Sequence, residues 1–176
     1  MKLEIGPGER KLGPDWTCVG DFSRPGVVDY ICNWGEDKLP FEDGSFEVVY
    51  SSHALEHVPW YSVDQAISEC FRVLTSGGKI EIHVPNFEYI VKCYLNNKIG
   101  DNWVKANNRE NPLVWAASRV FSYGPSLSNY HKSAFDKDYL FYLLTKYGFS
   151  NIKLLTHVPR PRGLTMSSST TSNHRI

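Results

Sequence analysis

A chain of 176 residues with 41% hydrophobic and 22% charged residues is long enough to bury one core and too short for two ordinary domains. Lys plus Arg equals Asp plus Glu at 19 each, so no basic surplus points to a nucleic acid or an anionic membrane surface. No apolar run approaches the roughly 20 residues of a membrane span, and no export signal precedes Leu3; Cys18, Cys32, Cys70 and Cys93 lack C-x-x-C spacing, which is the pattern of reduced thiols in a cytoplasmic protein with a small-molecule partner.

The first expected strand is Lys2–Ile5, and the turn Gly6-Pro7-Gly8 follows it at once. Further strands are expected at residues 17–20, 27–31, 46–51, 79–84 and 151–156, short apolar runs bounded by turn residues. Between the fourth and fifth, Ser62 and Gln65 have capping-box spacing, and Val63, Ala66, Ile67, Cys70, Phe71 and Leu74 share one helical face. Ser76-Gly77-Gly78 is expected to stop that helix. A second helix is expected over residues 86–97, burying Phe87, Ile90, Val91, Tyr94 and Leu95.

Residues 99–130 break the alternation. They carry Trp103, Trp115, Phe121, Tyr123 and Tyr130, with a short helix expected near Pro112–Phe121 whose Leu113, Val114, Ala117, Val120 and Phe121 face the core. An insert after the fifth strand lies at the carboxyl edge of an open sheet, so a lid or substrate wall is expected there. A last helix follows Asp136, with Leu140, Leu143, Leu144 and Tyr147 inward and Gly148 as its stop. Strands alternating with helices predict an α/β domain over residues 1–159 with a mostly parallel sheet. Residues 160–176, rich in Ser and Thr and carrying Arg160, Arg162 and Arg175, are expected to be a mobile tail. A seventh strand could come only from residues 164–170, whose apolar pattern is weak.

Gly6 and Gly8 let a ligand reach the backbone at the end of the first strand. The second strand ends in Val-Gly-Asp, which sets the Asp21 carboxylate where a ribose diol can donate to it. Nicotinamide dinucleotides and S-adenosylmethionine both suit that arrangement. A dinucleotide site also needs a third glycine and a helix whose amino terminus receives the pyrophosphate. That glycine is missing after Gly8, and the stretch from Glu9 to Thr17 is too short for the helix. S-adenosylmethionine has no phosphate and is favoured.

The sequence LEIGPG at residues 3–8, the VGD that ends the second strand, residues 39–58 (LPFEDGSFEVVYSSHALEHV), residues 69–87 (ECFRVLTSGGKIEIHVPNF) and residues 131–149 (HKSAFDKDYLFYLLTKYGF) follow one another in order. Together they resemble the class I S-adenosylmethionine-dependent methyltransferases of the methyltransferase domain 11 type, over most of residues 3–156. The resemblance implies a Rossmann-like sheet, here with an abbreviated first helix, and S-adenosylmethionine as cofactor with S-adenosylhomocysteine as product. It implies that Glu4, Gly6, Pro7 and Gly8 border the amino acid part of the cofactor, Asp21 the ribose, Asn33 and Trp34 the adenine, and Ser51, Ser52 and His53 the methionine side. Asn33 stands where the family often has aspartate.

A sulfonium methyl is already activated, so the protein must align an acceptor and exclude water. The acceptor is expected to be a small molecule or a sugar hydroxyl. A hydroxyl gains from a base, and His131 and His53 are the expected candidates. His57 is expected to be structural, His83 to belong to the sheet, and no metal-ligand cluster is expected. A catalytically silent cofactor-binding subunit is the alternative function, and a nicotinamide-dependent oxidoreductase the third.

Overall fold

The structure, a computed structural model, describes residues 1–100, 110–122, 129–155 and 163–170. Its sheet has seven strands, β1 (Lys2–Ile5), β2 (Trp16–Gly20), β3 (Tyr30–Ile31), β4 (Phe46–Ser52), β5 (Leu74–Pro85), β6 (Phe149–Leu154) and β7 (Gly163–Thr170), in the order β3-β2-β1-β4-β5-β7-β6. The first five pair in parallel and β7 runs antiparallel to both β5 and β6. The parallel strands therefore end on one edge, where open α/β sheets bind ligands. This is the expected α/β Rossmann-like fold, with the seventh strand complete.

Helices α1 (Val63–Val73) and α4 (Lys137–Lys146) bury Ala66, Ile67, Cys70, Leu140, Leu143 and Leu144 in one core with Leu3, Val19, Val49, Ile80 and Ile82 of the sheet. Alternation along β4 and β5 puts those strand residues inward. Helix α4 begins as expected, with the Asp136 carboxylate accepting from Tyr139 N at 2.8 Å. Helix α1 does not use the expected capping box. Ser62 makes no side-chain cap, and Gln65 instead donates to the Glu36 carbonyl at 3.2 Å.

No helix links β1 to β2. The Glu4 carboxylate accepts from Leu12 N at 2.9 Å, and Lys11 reaches Asp29 at 2.6 Å, so two ion and hydrogen-bond ties fix the connection where the sequence is too short for a helix. All four cysteines are free and buried. Burial and the neighbouring Glu4 push the Cys18 thiol up to about 12, so it is no nucleophile. No described helix is long and apolar enough to cross a membrane.

Several expectations are corrected. The third strand is two residues instead of 27–31, because Val27 and Val28 both donate to the Arg24 carbonyl and form a turn. Residues 163–170 of the expected tail are β7, held in the sheet on both sides. Helix α2 (Phe87–Leu95) exposes Phe87, Tyr94 and Leu95, and α3 (Pro112–Phe121) exposes Leu113 and Phe121. These helices pack on each other through Ile90, Cys93, Trp115 and Ala116, a second cluster that turns their other faces outward. Trp103, Tyr123, Thr156, Arg160, Arg162 and Arg175 lie outside the described residues.

One polar group braces the connection before β4. Arg72 on α1 donates to Glu69 through Nε at 2.7 Å and Nη2 at 2.7 Å, and to the carbonyls of Leu39 and Phe41, while Glu69 accepts from Leu39 N at 2.8 Å. Burial alone would raise the Glu69 carboxyl, but the Arg72 and Leu39 donors outweigh it and hold it below the usual range. Its contribution to stability is therefore present above the unfolded carboxylate value and is lost as pH falls through the lower folded one. Chemical denaturation between neutral and acid pH should show a shallower acid loss for Glu69→Gln than for the native chain. Arg72→Met should cost about 3 kcal/mol at neutral pH, the low end for stripping one partner from a buried pair.

Candidate active site

Gly6 and Gly8 both have left-handed backbones, with φ of 73° and 62°. Gly6 N donates to the Val19 carbonyl at 2.9 Å, which ties the loop to β2. A Cβ at Gly6 would stand 2.5 Å from Ala54 Cβ, so only glycine fits between this loop and the residues that follow β4. Gly8 faces open space. Asp21 follows β2 directly, is exposed, and has no hydrogen-bond or ion-pair partner among the described residues. The carboxyl edge thus presents a glycine loop and an uncommitted carboxylate on neighbouring strands.

Beyond β4 the chain turns sharply. His53 adopts φ of 54°, and its N–H donates to the His83 carbonyl of β5 at 2.9 Å. Strained non-glycine backbones of this kind persist only where the surroundings hold them. The 3-10 turn Leu55–His57 follows and buries Glu56, whose side chain is 1% exposed. Glu56 Oε1 lies 3.1 Å from His53 Nδ1 and 3.8 Å from His131 Nε2. A carboxylate only accepts, so Nδ1 of His53 carries the proton and Nε2 keeps its lone pair.

Residues 129–133 are clamped over this turn. Lys132 N and Ser133 N donate to the Glu56 carbonyl at 2.8 and 3.1 Å, and Ser133 Oγ to the Val58 carbonyl at 2.5 Å. His57 Nδ1 is 3.2 Å from the Tyr130 carbonyl, and the rings of His57 and His131 meet edge to face at 5.0 Å. Burial pushes the His131 imidazole below its usual value despite the Glu56 carboxylate, so His131 is neutral near pH 7. A cleft beside it is lined by Glu56, Phe87, Ile90, Arg119, His131 and Phe135.

Residues 17–82 match the sequence model of a family described as Methyltransferase domain. A sterol 4-C-methyltransferase of Caenorhabditis elegans is 32% identical over 82 residues, 46% of this chain and 23% of that protein. A ubiquinone/menaquinone biosynthesis C-methyltransferase of Brucella canis is 27% identical over 109 residues, 57% of this chain and 36% of that protein. The chain therefore spans well under half the length of these curated relatives. Among solved structures, a SAM-dependent methyltransferase from Archaeoglobus fulgidus superposes with a TM-score of 0.63 at 14% identity, over 96% of this chain and 85% of that one. A 1,6-didemethyltoxoflavin-N1-methyltransferase from Burkholderia thailandensis, crystallised with 1,6-didemethyltoxoflavin and S-adenosylhomocysteine, gives 0.57 at 16% identity, over 97% and 70%. The sequence match thus covers the stretch from β2 to β5, and the fold is the one shared by these S-adenosylmethionine-dependent methyltransferase structures.

Within this fold the expected site residues fall into two groups. Gly6, Pro7, Gly8, Asp21, Ser52 and His53 are at the ends of β1, β2 and β4, on one edge. Ser51 is there too, fully buried, and its hydroxyl has no partner among the described residues. Glu4, Asn33 and Trp34 are committed elsewhere. Glu4 holds the loop backbone at Leu12; Trp34 is buried and donates to the Ala66 carbonyl at 3.1 Å. Asn33 is exposed and its amide donates to Glu36 at 2.7 Å, leaving its side-chain carbonyl as an acceptor.

Sequence reading missed Glu56. It sits between two histidines that sequence alone treated one at a time, and the spacing His-x-x-Glu-His at residues 53–57 was the available signal. No metal-ligand cluster was expected, and one candidate group lies here. Glu56, His57 and His131 each offer a ligand atom, and these lie within 4.8 Å of one another. Residue 131 is distant in sequence and is held over the turn by the clamp at residues 132 and 133 and by the Tyr130 carbonyl beside His57.

The fit between loop and turn generates a stability prediction. Gly6→Ala adds a left-handed alanine, about 1 to 2 kcal/mol, to the overlap with Ala54. A fall in melting temperature of at least about 4 degrees is expected at this chain length. Adding Ala54→Gly should recover only the overlap, and a double-mutant cycle by calorimetry separates the two costs.

Proposed function

We propose that this domain binds S-adenosylmethionine along the carboxyl edge of β1, β2 and β4 and transfers its methyl group to a hydroxyl of a small molecule or sugar. The observation that carries the reading is the exposed, unpartnered Asp21 beside a loop whose Gly6 and Gly8 leave the backbone open. In this reading Asp21 accepts from the ribose hydroxyls, Gly6 to Gly8 pass under the amino acid part, and Ser51, Ser52 and His53 meet the methionine side. Asn33 borders the adenine, with Trp34 fixing it from the core, and Glu4 acts by holding the loop.

The acceptor lies between the end of β4 and residues 129–133, in the cleft that Phe87, Arg119 and His131 line. His53 takes the acceptor proton on Nε2 while Glu56 fixes the tautomer through Nδ1. The acceptor oxygen forms the new bond to the methyl carbon as the carbon–sulfur bond breaks, and its electron pair stays on the sulfur of S-adenosylhomocysteine. His131, more buried than His53, supplies the wall of the site. The curated relatives are C-methyltransferases by name, and the same base serves a phenol or enol methylated at carbon. Both acceptor types belong in the screen.

S-adenosylhomocysteine at about 100 times its dissociation constant should stabilise the chain by roughly 2.7 kcal/mol. That corresponds to a rise of about 5 to 11 degrees in melting temperature, with no rise for NAD; the reverse pattern would exclude the reading. Asp21→Ala should lower affinity for S-adenosylhomocysteine at least about tenfold, as loss of a charged acceptor predicts, with an unchanged melting temperature for the free protein. With an acceptor in hand, His53→Ala should lower turnover by about 100-fold to 10,000-fold. Turnover at the native rate in that variant would leave His53 without the role of base.

A further inference from the structure

The Glu56, His57 and His131 cluster is arranged as three ligands of one cation. Glu56 is almost completely buried, and its Oε2 has no hydrogen-bond partner among the described residues, although Oε1 is engaged by His53. A buried carboxylate oxygen left without a donor is unfavourable unless something cationic meets it. The two imidazoles are set for that task. His57 has its Nδ1 against the Tyr130 main-chain carbonyl, so Nδ1 carries the proton and Nε2 is the free donor atom. His131 turns its Nε2 toward Glu56, 3.8 Å from Oε1. A histidine that gives one ring N–H to a carbonyl and turns the other nitrogen inward is the usual geometry of a metal ligand.

We propose that Glu56, His57 and His131 bind a divalent transition-metal ion of the zinc class beside the methyl-transfer site. Two imidazole nitrogens and one carboxylate suit zinc, manganese, iron or cobalt better than magnesium or calcium, which prefer all-oxygen shells. Ligand atoms around zinc sit about 3.3 Å apart at ordinary bond lengths. The three lie within 4.8 Å of one another, so the proposal requires the ion to draw them together by up to about 1.5 Å. Three protein ligands leave positions open, as in catalytic and not structural sites.

The role of the ion rests on the function proposed above. Glu56 is two residues along the chain from Ala54, which abuts the glycine loop at Gly6, and the proposal takes an acceptor hydroxyl bound to the ion as the group that meets the methyl. The cation makes that hydroxyl more acidic and holds its oxygen in place. His53 accepts the released proton, the oxygen attacks the methyl carbon, and the sulfur keeps the electron pair of the broken bond. The acceptor class this favours is a hydroxyl with a second oxygen on the adjacent carbon, a catechol or a sugar diol, because the open positions admit a chelate.

The test uses the whole chain, stripped with a chelator and dialysed, then titrated with zinc and with cobalt by calorimetry and visible absorption. One equivalent should bind, with the d–d bands of low-coordinate cobalt, and magnesium should not compete. Glu56→Gln and His57→Gln should each weaken zinc binding by more than the about tenfold to hundredfold that loss of an outer-sphere partner costs, and His53→Ala by about that amount. Because Glu56 is buried, its variant is read only if circular dichroism shows the native fold; the more exposed His57 variant stands in otherwise. No stoichiometric binding, or native affinity in the His57 variant, overturns the proposal. S-adenosylhomocysteine stabilisation measured on the same stripped protein separates the two ideas. Metal binding without it refutes the cofactor reading alone, and stabilisation without metal binding refutes the metal site alone.

Discussion

Everything at the carboxyl edge depends on the contact between Gly6 and Ala54. Strands β1 and β4 are neighbours, with Ile5 opposite Ser51, so the chain leaving each must share one narrow space. No side chain fits at Gly6, and this lets the loop after β1 lie flat against the turn after β4. The same contact brings the open backbone of residues 6–8 within a few residues of His53 and Glu56. A larger residue on either side would separate the open backbone of the glycine loop from the turn that carries His53 and Glu56.

The second half of the site is built by main-chain clamping. The Glu56 carbonyl accepts from both Lys132 and Ser133, and Phe87 N donates to the Phe135 carbonyl at 2.9 Å. These bonds depend on backbone geometry and not on side-chain identity, so they position His131 and Tyr130 over a turn far away in sequence. The carboxylate of Glu56 then works on both sides of the gap, toward His53 and toward His131. The local low dielectric strengthens such a network when it is satisfied and penalises any member left over.

Much of the scaffold was legible because apolar periodicity reports burial. Strand β1 and the faces of α1 and α4 were readable from Leu3, Ile67 and Leu143, which point into a single core. The pattern failed where burial is not apolar or not against the main core. Strand β7 buries Thr165, Ser168 and Thr170; the Thr165 hydroxyl meets His83 Nδ1 at 2.8 Å and that of Thr170 donates to the Thr75 carbonyl at 2.8 Å. Buried hydroxyls, satisfied across strands at Thr165 and Thr170 and without a partner among the described residues at Ser168, look like a polar tail in sequence. Helix α3 was placed to the residue, yet its inward face is Trp115 and Ala116, because it packs on α2 and not on the sheet. At the site, the glycine loop and Asp21 were legible as local motifs. Glu56 was not, since its partners come from both sides and one of them, His131, arrives by tertiary contact.

Strand β7 also sets the order in which the sheet can be completed. Among the described residues it is the last strand in chain order, yet it occupies an interior place, and β6 pairs there with β7 alone. While the chain is being synthesised, β1 to β5 can assemble with one side of β5 bare, and β6 emerges with nothing to pair with. The hairpin of β6 and β7 must then dock as a unit along that bare side. Until it does, the exposed amides and carbonyls of β5 are a template that any extended segment of another chain can fill, so the interval between the emergence of β5 and the docking of β7 is when a nascent chain is most open to association with its neighbours on the polysome.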